Sequence, residues 1–374
     1  MSSLATQAIN GNPAALAFDR AVDELRRGRA IQVTDTGLGL LVAAVETVQG
    51  PQFERLVAAG AGRTLLFVTA ERALAAGLTH QLSGPVAVAV PRGADIGHLS
   101  AVAGVNSKGT VDGAAFEVDA QPACAALAAA ALQLAKAGRL VPALIGFPTD
   151  GAEAAGVLGI PVGDVTHHAP RFGHHALQLL SRARVPLADA LDSEIAVFRD
   201  EHSLAEHVAV VIGKPDPTSA VPVRLHSACL TGDLLGSLRC DCGEQLRTAV
   251  ARIAALGGGV LLYLDQEGRG IGLPNKLRAY VLQDGGLDTV DADQHLGFLA
   301  DERTYDVAAA LLHELGVRRI RLLTNNPQKI TALRDHGIEV VGRVPLITTS
   351  NTHNERYLRA KHERAGHLAE ESSG

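Results

Sequence analysis

The stretch RLHSACLTGDLLGSLRCDCGEQL, residues 224–246, holds three cysteines within fourteen residues. Cys240 and Cys242 are one residue apart, so both sulfurs could face one ion from a tight turn, and Cys229 could join them from a neighbouring loop. Thiolates are soft ligands that favour zinc, which takes four ligands in a tetrahedron. The spacing predicts a zinc site. It is a catalytic site if water takes the fourth position and a structural site if His226 does, and metal-free buried cysteines are a third interpretation.

Strands and helices alternate around this stretch. The second half predicts strands at residues 221–227, 260–264 and 319–323, and helices at 243–256 and 328–336. Asn326 is a candidate N-cap for the last helix, with Pro327 at its first position. The first half predicts helices at residues 21–27 and 124–137, and strands at 30–34, 64–69, 85–90 and 141–147. We therefore expect a mixed α/β (α+β) fold whose N-terminal part is a layered α/β domain.

Length and composition limit the class of protein. A chain of 374 residues favours two domains. Tryptophan is absent, aromatic residues make up 3% and the formal net charge is −6, which argues against nucleic acid as a partner. No apolar run is long enough to span a bilayer and no signal pattern opens the sequence, so we expect no membrane partner and a cytoplasmic location.

Two further segments carry polar groups that could contact a ligand. QEGRGIG, residues 266–272, follows a strand, and its glycines would let the backbone approach a ligand, although a surface turn would look the same. TNNPQK, residues 324–329, supplies a helix start and a lysine, which suits a phosphate. An ordinary capped helix is the alternative interpretation of that segment.

Taken together, these motifs resemble the GTP cyclohydrolase II family, which catalyses the entry step of riboflavin synthesis. The resemblance covers about residues 221–368. Its further motifs are YLDQEGRGIGLPNKLRAYVLQDGGLDTVDA, LGFLADERTYDVAA and RLLTNNPQKI, at residues 263–292, 296–309 and 321–330. The resemblance implies a C-terminal GTP cyclohydrolase II domain of α+β type, which we place at residues 206–374.

The resemblance also implies a role for each matching residue. Cys229, Cys240 and Cys242 match zinc ligands with water in the fourth position. Arg303 matches a nucleophile toward the α-phosphorus, Asp301 its proton acceptor, and Tyr280 a residue that orients the ring. The positions implied for GTP binding are Arg224, His226, Ser227, Gln245, Glu267, Gly268, Arg269, Thr289, Thr324 and Lys329. One zinc ion per chain and Mg²⁺ on the triphosphate are the implied cofactors, and GTP is the implied substrate.

Two positions depart from the family pattern. Ala228 stands where many members have Glu, and Asp265 stands where many have Arg. Either change could alter affinity or stop the reaction after the first hydrolysis. Neither removes a ligand or the nucleophile, so the complete reaction is the main expectation.

The first half resembles 3,4-dihydroxy-2-butanone 4-phosphate synthase, in AVDELRRGRAIQVTD at residues 21–35 and in residues 121–147. That synthase needs an acidic loop after its first strand, whereas residues 35–44 predict a short apolar loop with Asp35 as its only carboxylate. Phe147 stands where the family has a later Glu. We therefore expect an inactive synthase-like domain at residues 1–205, with dimerisation or support of its neighbour as its role. A homodimer follows from that resemblance. The alternatives are a bifunctional enzyme and a non-enzymatic, zinc-stabilised nucleotide-binding module.

Overall fold

The computed structural model describes residues 12–80, 83–91, 93–106, 116–168, 177–200, 205–346 and 351–355. The chain divides into two compact units, and each unit is built from two separate pieces of sequence. The first unit comprises Met1–Phe172 and Pro274–Glu302, and the second comprises Gly173–Leu273 and Arg303–Gly374. Each unit contains one seven-stranded sheet. The predicted mixed α/β class with two domains is confirmed.

The bounds of the elements are as follows. The strands are β1 (Ile31–Asp35), β2 (Leu38–Ala44), β3 (Leu65–Val68), β4 (Val86–Ala89), β5 (Val118–Asp119), β6 (Ala143–Thr149), β7 (Leu158–Pro161), β8 (Leu177–Arg184), β9 (Ser193–Asp200), β10 (Glu206–Ile212), β11 (Val221–Ser227), β12 (Gly259–Leu264), β13 (Arg319–Leu323) and β14 (Glu339–Val344). The α-helices are α1 (Pro13–Arg26), α2 (Gly50–Ala59), α3 (Ala70–Ala75), α4 (Ile96–Val102), α5 (Ala125–Ala137), α6 (Val162–His168), α7 (Cys242–Ala255), α8 (Leu273–Asp284), α9 (Thr289–His295), α10 (Asp306–Glu314) and α11 (Pro327–Asp335). None of the helices in the described ranges has the length and apolar character needed to cross a membrane.

The first unit is a three-layer sandwich around the sheet β5-β4-β3-β6-β2-β1-β7. Side chains alternate along a strand, so successive residues enter opposite cores. On β2, Val42 and Ala44 join the core with α1 and α5, whereas Ala43 joins the core with α2, α3 and α4. This arrangement is the layered α/β domain that the sequence predicts.

The acidic loop of the synthase has no counterpart after β1. Strands β1 and β2 form an antiparallel hairpin in which Asp35 pairs with Leu38, so only Thr36 and Gly37 connect them. Gly37 has φ +69°, a conformation that favours glycine in two-residue hairpin turns. A loop was expected over residues 35–44, and this expectation is wrong. Residues 38–44 form strand β2, because their apolar side chains are buried in both cores.

The second unit contains the sheet β14-β13-β11-β12-β10-β9-β8. Strands β14, β13, β11 and β12 are parallel, and β10, β9 and β8 continue the sheet in antiparallel pairing. Helix α7 packs on one face, and α10 and α11 pack on the other. In open α/β sheets, ligands bind beyond the carboxyl ends of the parallel strands. Here those ends belong to four neighbours, β14, β13, β11 and β12.

The two units divide earlier than the expected boundary at residue 205. Strand β9 pairs with β10 from Ser193↔Ile212 to Arg199↔Glu206, so residues on both sides of position 205 belong to one sheet. The polar segment at residues 213–220 connects β10 to β11 within that sheet. Assignment of the first unit to an inactive synthase-like domain stays a prediction.

We expect the first unit to lose stability in mild acid through His295. Burial, and then the nearby Arg72 charge, lower the pKa of His295 from 6.5 to about 4. The unfolded chain therefore binds a proton between pH 6.5 and about 4 that the folded chain refuses, so stability falls as the pH falls through that window. Allowing for the partial exposure of the ring, we expect a loss of about 1 kcal/mol at pH 5. Unfolding midpoints at pH 7.5 and 5.0 should diverge less in His295→Asn than in the wild type, and an equal divergence would contradict the assignment.

Candidate active site

The three clustered cysteines meet at the carboxyl end of β11. Their Sγ atoms all lie within 4.8 Å of one another, and Cys229 Sγ is 3.7 Å from Cys240 Sγ. Zinc–sulfur bonds of about 2.3 Å at tetrahedral angles would place two sulfurs about 3.8 Å apart. The spacing of these two sulfurs therefore fits a zinc ion.

The closeness of the three thiols also suits a metal cation. Contact with Cys229 raises the pKa of the Cys240 thiol, and contacts with Cys229 and Cys240 raise that of Cys242 well above its usual value. Three neighbouring thiolates repel one another, so a bound metal ion is what would stabilise them. Within the described residues, no fourth His, Cys, Asp or Glu joins the group. The described group therefore offers three cysteine sulfurs, and an ion held by them would have a fourth position left for another ligand, as in catalytic zinc sites.

Gly232 lies against the sulfurs and leaves room for an ion. It sits in a π-helical turn, Leu230–Leu234, and its amide donates a hydrogen bond to Cys229 Sγ at 3.3 Å. A Cβ atom at this position would lie 2.8 Å from Cys240 Sγ and 3.1 Å from Cys229 Sγ. Only glycine therefore fits beside the undisturbed sulfurs.

Replacing Gly232 with alanine should displace the sulfurs and weaken zinc binding. Because the added methyl group meets two ligand atoms, we expect a fall in zinc affinity on the order of 10- to 100-fold, as for other changes next to a zinc site. Gly342→Ala, on a strand of the same unit with open space around its Cα, is the matched control. Competition with a chromophoric chelator measures both affinities, and equal affinities would show that the sulfurs do not hold the metal.

Asp233 connects the first cysteine to two rings. Its Oδ2 accepts hydrogen bonds from the Cys229 amide and from the Tyr263 hydroxyl, both at 3.0 Å, and its Oδ1 lies 3.0 Å from His226 Nε2. Burial lowers the pKa of His226, so the ring is neutral near pH 7. A carboxylate only accepts, so Nε2 carries the proton. His226 is thus held by Asp233 rather than grouped with the sulfurs, which disfavours the closed structural site.

A second series of hydrogen bonds ends at Asp241, the residue between the other two cysteines. Arg224 donates to the Leu323 carbonyl at 3.0 Å and to Gln245 Oε1 at 2.6 Å, and Gln245 Nε2 donates to Asp241 Oδ2 at 2.6 Å. Asp241 stands between Cys240 and Cys242. Burial lowers the pKa of Arg224 to about 10, so its side chain stays charged at neutral pH.

Two buried polar atoms at this site have no partner among the described residues. They are Arg224 Nε, a donor, and His226 Nδ1, which is an acceptor in the tautomer fixed by Asp233. Arg224 is 6% exposed and His226 is 2% exposed. Leaving such atoms unsatisfied costs about 1–3 kcal/mol each. Both belong to the stretch predicted to contact GTP, and a polar ligand would satisfy them.

The QEGRG segment forms a strained 3-10 turn, Glu267–Gly270, after β12. Gly268 and Arg269 both adopt left-handed backbone angles, with φ 64° and 61°, and the conformation is unfavourable for arginine. The buried Glu267 carboxylate accepts hydrogen bonds from the Leu230 amide at 2.6 Å and from the Gly268 amide at 2.9 Å. It therefore ties this turn to the loop of the zinc ligands.

Two positive side chains, one from the first turn of α11 and one from the segment before α10, lie near one aromatic ring. Lys329 Nζ donates to the Leu225 carbonyl at 2.9 Å and lies 5.5 Å from the centroid of the Tyr305 ring. The Arg303 guanidinium lies 5.8 Å from the same centroid. Thr324 is buried, and Asn326 caps α11 by accepting from the Gln328 amide, as predicted. The predicted phosphate ligand and the predicted nucleophile thus share one aromatic neighbour.

The predicted site residues divide between the two units. Those in the second unit are Arg224, His226, Ser227, Cys229, Cys240, Cys242, Gln245, Glu267, Gly268, Arg269, Arg303, Thr324 and Lys329. Tyr280 on α8, Thr289 at the start of α9 and Asp301 belong to the first unit. The catalytic and substrate roles of all these residues stay predictions.

Sequence reasoning missed Asp233, Gly232, Asp241 and Tyr263. Asp233 and Gly232 lie in LTGD directly after the first ligand, so an acid inside the cysteine stretch was an available signal. Of the two departing positions, the Ala228 amide donates to the Leu264 carbonyl, and the Asp265 amide donates to His207 Nδ1. Their backbones are therefore held by hydrogen bonds that do not depend on the side chains present there.

Comparison with known proteins places this site in a family. GTP cyclohydrolase-2 of Azospirillum brasilense is 45% identical over 367 residues, which cover 94% of each chain. The chain belongs to the GTP cyclohydrolase II family. The model of the GTP cyclohydrolase II family matches residues 179–345, which begin within β8 and include every predicted site residue. The family predicted from the motifs is confirmed.

Two further relatives differ in how much of this chain they match. GTP cyclohydrolase-2 of Xylella fastidiosa is 40% identical over 365 residues, 96% of this chain and 88% of its own length. For GTP cyclohydrolase-2 of Azotobacter vinelandii the match is 57% over 171 residues, 46% of this chain and 82% of its own length. A solved RibBX, a two-domain 3,4-dihydroxy-2-butanone 4-phosphate synthase from A. baumannii, is 16% identical, with 89% of this chain and 99% of that chain covered. Its TM-score of 0.32 is too low to support a conclusion.

Proposed function

We propose that this GTP cyclohydrolase II family member hydrolyses GTP to 2,5-diamino-6-ribosylamino-4(3H)-pyrimidinone 5′-phosphate, formate and pyrophosphate, the entry step of riboflavin synthesis. The observation that carries the proposal is the cluster of three thiols with one open position, beside the unsatisfied atoms of Arg224 and His226. Family membership supports the same substrate.

Cys229, Cys240 and Cys242 would hold the zinc ion. When bound, zinc supplies the acidity that activates water for attack on C8 of the guanine ring. The chain keeps the ligands in place from three directions: the Gly232 amide donates to Cys229 Sγ, Asp233 accepts from the Cys229 amide, and the Arg224–Gln245–Asp241 chain ends between the other two ligands. These contacts fix the sulfurs before the substrate arrives.

The polar groups around the cluster suit the two ends of GTP. Glu267 would accept the N–H groups of the guanine edge, since a carboxylate has more acceptor positions than its two amide partners use. Arg269, Thr324 and Lys329 would contact phosphates, and Ser227, Gln245, Gly268 and Thr289 would complete the binding set. Mg²⁺ would offset the triphosphate charge.

Release of pyrophosphate requires a nucleophile at the α-phosphorus, and we assign it to Arg303. Its guanidinium would displace pyrophosphate and then lose the nucleotidyl group to water. A guanidinium is normally protonated, so a base is needed, and Asp301 is assigned that role. Tyr280 is assigned to orienting the base while two hydrolysis steps open the ring and release formate.

We further propose that the first unit has no synthase activity of its own. Asp35 is the last residue of β1 and flanks a turn of only two residues, and Phe147 is buried in an apolar core. Neither arrangement supplies the carboxylates that enolisation and metal binding need. Turnover of ribulose 5-phosphate by the purified protein would instead establish the bifunctional alternative.

Incubation of the purified protein with GTP, Mg²⁺ and Zn²⁺ tests the main proposal. Formate and pyrophosphate should appear together with the diaminopyrimidine product. Formamide retained on the product would show that the reaction stops after the first hydrolysis, and absence of both pyrophosphate and any ring-opened product would overturn the proposal in favour of a nucleotide-binding module. The homodimer and the cytoplasmic location stay predictions, which sedimentation and fractionation would test.

A further inference from the structure

One piece of the GTP cyclohydrolase II sequence lies in the first unit. This piece, Pro274–Glu302, carries Tyr280, Thr289 and Asp301, yet it clusters with Met1–Phe172. It falls inside the stretch that the family model matches. The first unit therefore contains three residues with predicted roles in the GTP cyclohydrolase reaction.

Arg72, on α3, makes polar contacts with the backbone of this piece. Its guanidinium donates to the carbonyls of Val102 at 2.8 Å, Ala101 at 3.1 Å and His295 at 2.8 Å. The side chain is 2% exposed, and no carboxylate pairs with it within the described part of the chain. A buried charge without a counter-ion is destabilising unless it is hydrogen-bonded. Losing the hydrogen bonds of Arg72 to α4 and α9 would therefore cost more free energy than losing an exposed contact.

A second hydrogen bond reaches the same piece at Gly297, two residues after His295. Thr69 Oγ1 donates to the Gly297 carbonyl at 2.9 Å. Two glycines permit these close approaches: a Cβ on Gly297 would lie 3.0 Å from Thr69 Oγ1, and a Cβ on Gly104 would lie 2.9 Å from the His295 carbonyl oxygen. Both glycines have positive φ, so no other residue is accommodated there without strain.

Charged side chains hold both ends of the same piece. On α8, Arg278 donates to Glu46 at 2.8 Å, and Glu46 also accepts from the Val141 amide at 2.7 Å. At the other end, Lys136 donates to Glu302 at 2.7 Å, and Glu302 accepts from the Leu299 amide at 2.8 Å. The loop that contains Asp301 is thus closed by a partly buried ion pair.

We propose that Arg72, with Thr69, is a positioning residue for the GTP cyclohydrolase reaction: it fixes the backbone at residues 295–297, between the helix that begins at Thr289 and the loop that carries Asp301. The first unit is therefore a scaffold for this piece. The inference rests on the proposed function, because it concerns residues assigned to that reaction. It would give the first unit, which we propose to be inactive as a synthase, a role in the cyclohydrolase reaction.

Arg72→Met in the full chain tests the assignment, since methionine fills the space and removes all five N–H donors. We expect kcat for formate release to fall at least 10-fold, and amide hydrogen exchange at residues 289–299 to accelerate at least 10-fold. Zinc content and exchange in β11–β13 should stay at wild-type values, a separation that general destabilisation would not give. Arg63→Met, the same change at an exposed position of the first unit, is the matched control.

Thr69→Val decides the matter if Arg72→Met does not fold. It removes the donor to Gly297 and the acceptor that caps α3, whereas Thr69→Ser keeps both, and Thr64→Val replaces another buried threonine of the unit. Of these three variants, we expect only Thr69→Val to show a several-fold fall in kcat. An active wild type with fully active Arg72→Met or Thr69→Val variants would overturn this inference and leave the proposed function intact. An inactive wild type would overturn the proposed function, and this inference with it.

Discussion

Replacing Cys240 with serine is expected to abolish zinc binding and to lower GTP turnover by roughly 1,000-fold or more. A hydroxyl is a far poorer zinc ligand than a thiolate, and the two remaining sulfurs cannot complete a three-ligand site. The 3.7 Å contact between Cys229 and Cys240 would be lost with the sulfur. Zinc per chain, from metal analysis after dialysis, and formate release are the two measurements.

Cys124→Ala is the matched control for this experiment. Cys124 is buried in the apolar core of the first unit and is not part of the metal-ligand group, so its removal should leave zinc content and turnover unchanged. Chelation of the wild-type protein should reproduce the Cys240→Ser defect, and added Zn²⁺ should restore turnover in the wild type alone. Full zinc occupancy in Cys240→Ser would show that the metal is held elsewhere.

The second large effect is expected at Arg303. Arg303→Lys keeps the positive charge near the Tyr305 ring but removes the guanidinium, so it separates the nucleophile from a simple phosphate contact. We expect pyrophosphate release to fall by roughly 1,000-fold, while zinc content is unchanged and the affinity for GTP changes only a few-fold.

Arg252→Lys, on the exposed surface of α7, controls for the substitution itself and should be fully active. If Arg303→Lys released pyrophosphate at the wild-type rate, the nucleophile assignment would be wrong, and a charge-stabilising role would replace it. Mass measurement of the wild-type chain quenched during turnover adds a direct test, because a nucleotidyl group on Arg303 should be detectable.

In the second unit, the sequence predicted two strands, one helix cap and the cysteine cluster, all of which depend on neighbouring residues. The bounds of β11 and β13 are those expected, and Asn326 caps α11 as its position indicated. The cysteine spacing was equally decisive, since the sulfurs meet as predicted. These features depend on a strand pattern, a capping residue and a short motif, which are all written in contiguous residues.

The features that sequence did not predict depend on distant partners. Strands β8 and β9 were missed because β9 joins the second sheet by pairing with β10 and β8 joins it by pairing with β9, and β8 is largely exposed. Arg72 lies in ERALAAGL, where its pattern is that of an exposed helical arginine. Its burial becomes evident only when α4 and α9 supply the three carbonyls.

The two-piece construction of each unit has a consequence for how the protein is made. The His295 carbonyl that completes the Arg72 contacts leaves the ribosome more than 100 residues after Phe172, roughly 6–25 s later at ordinary rates of synthesis. During that interval the nascent first unit contains the Arg72 guanidinium without the His295 carbonyl, one of its three hydrogen-bond acceptors. No single cleavage point separates the units either: a cut at residue 205 divides a sheet, and a cut at 172 leaves Pro274–Glu302 with the wrong fragment.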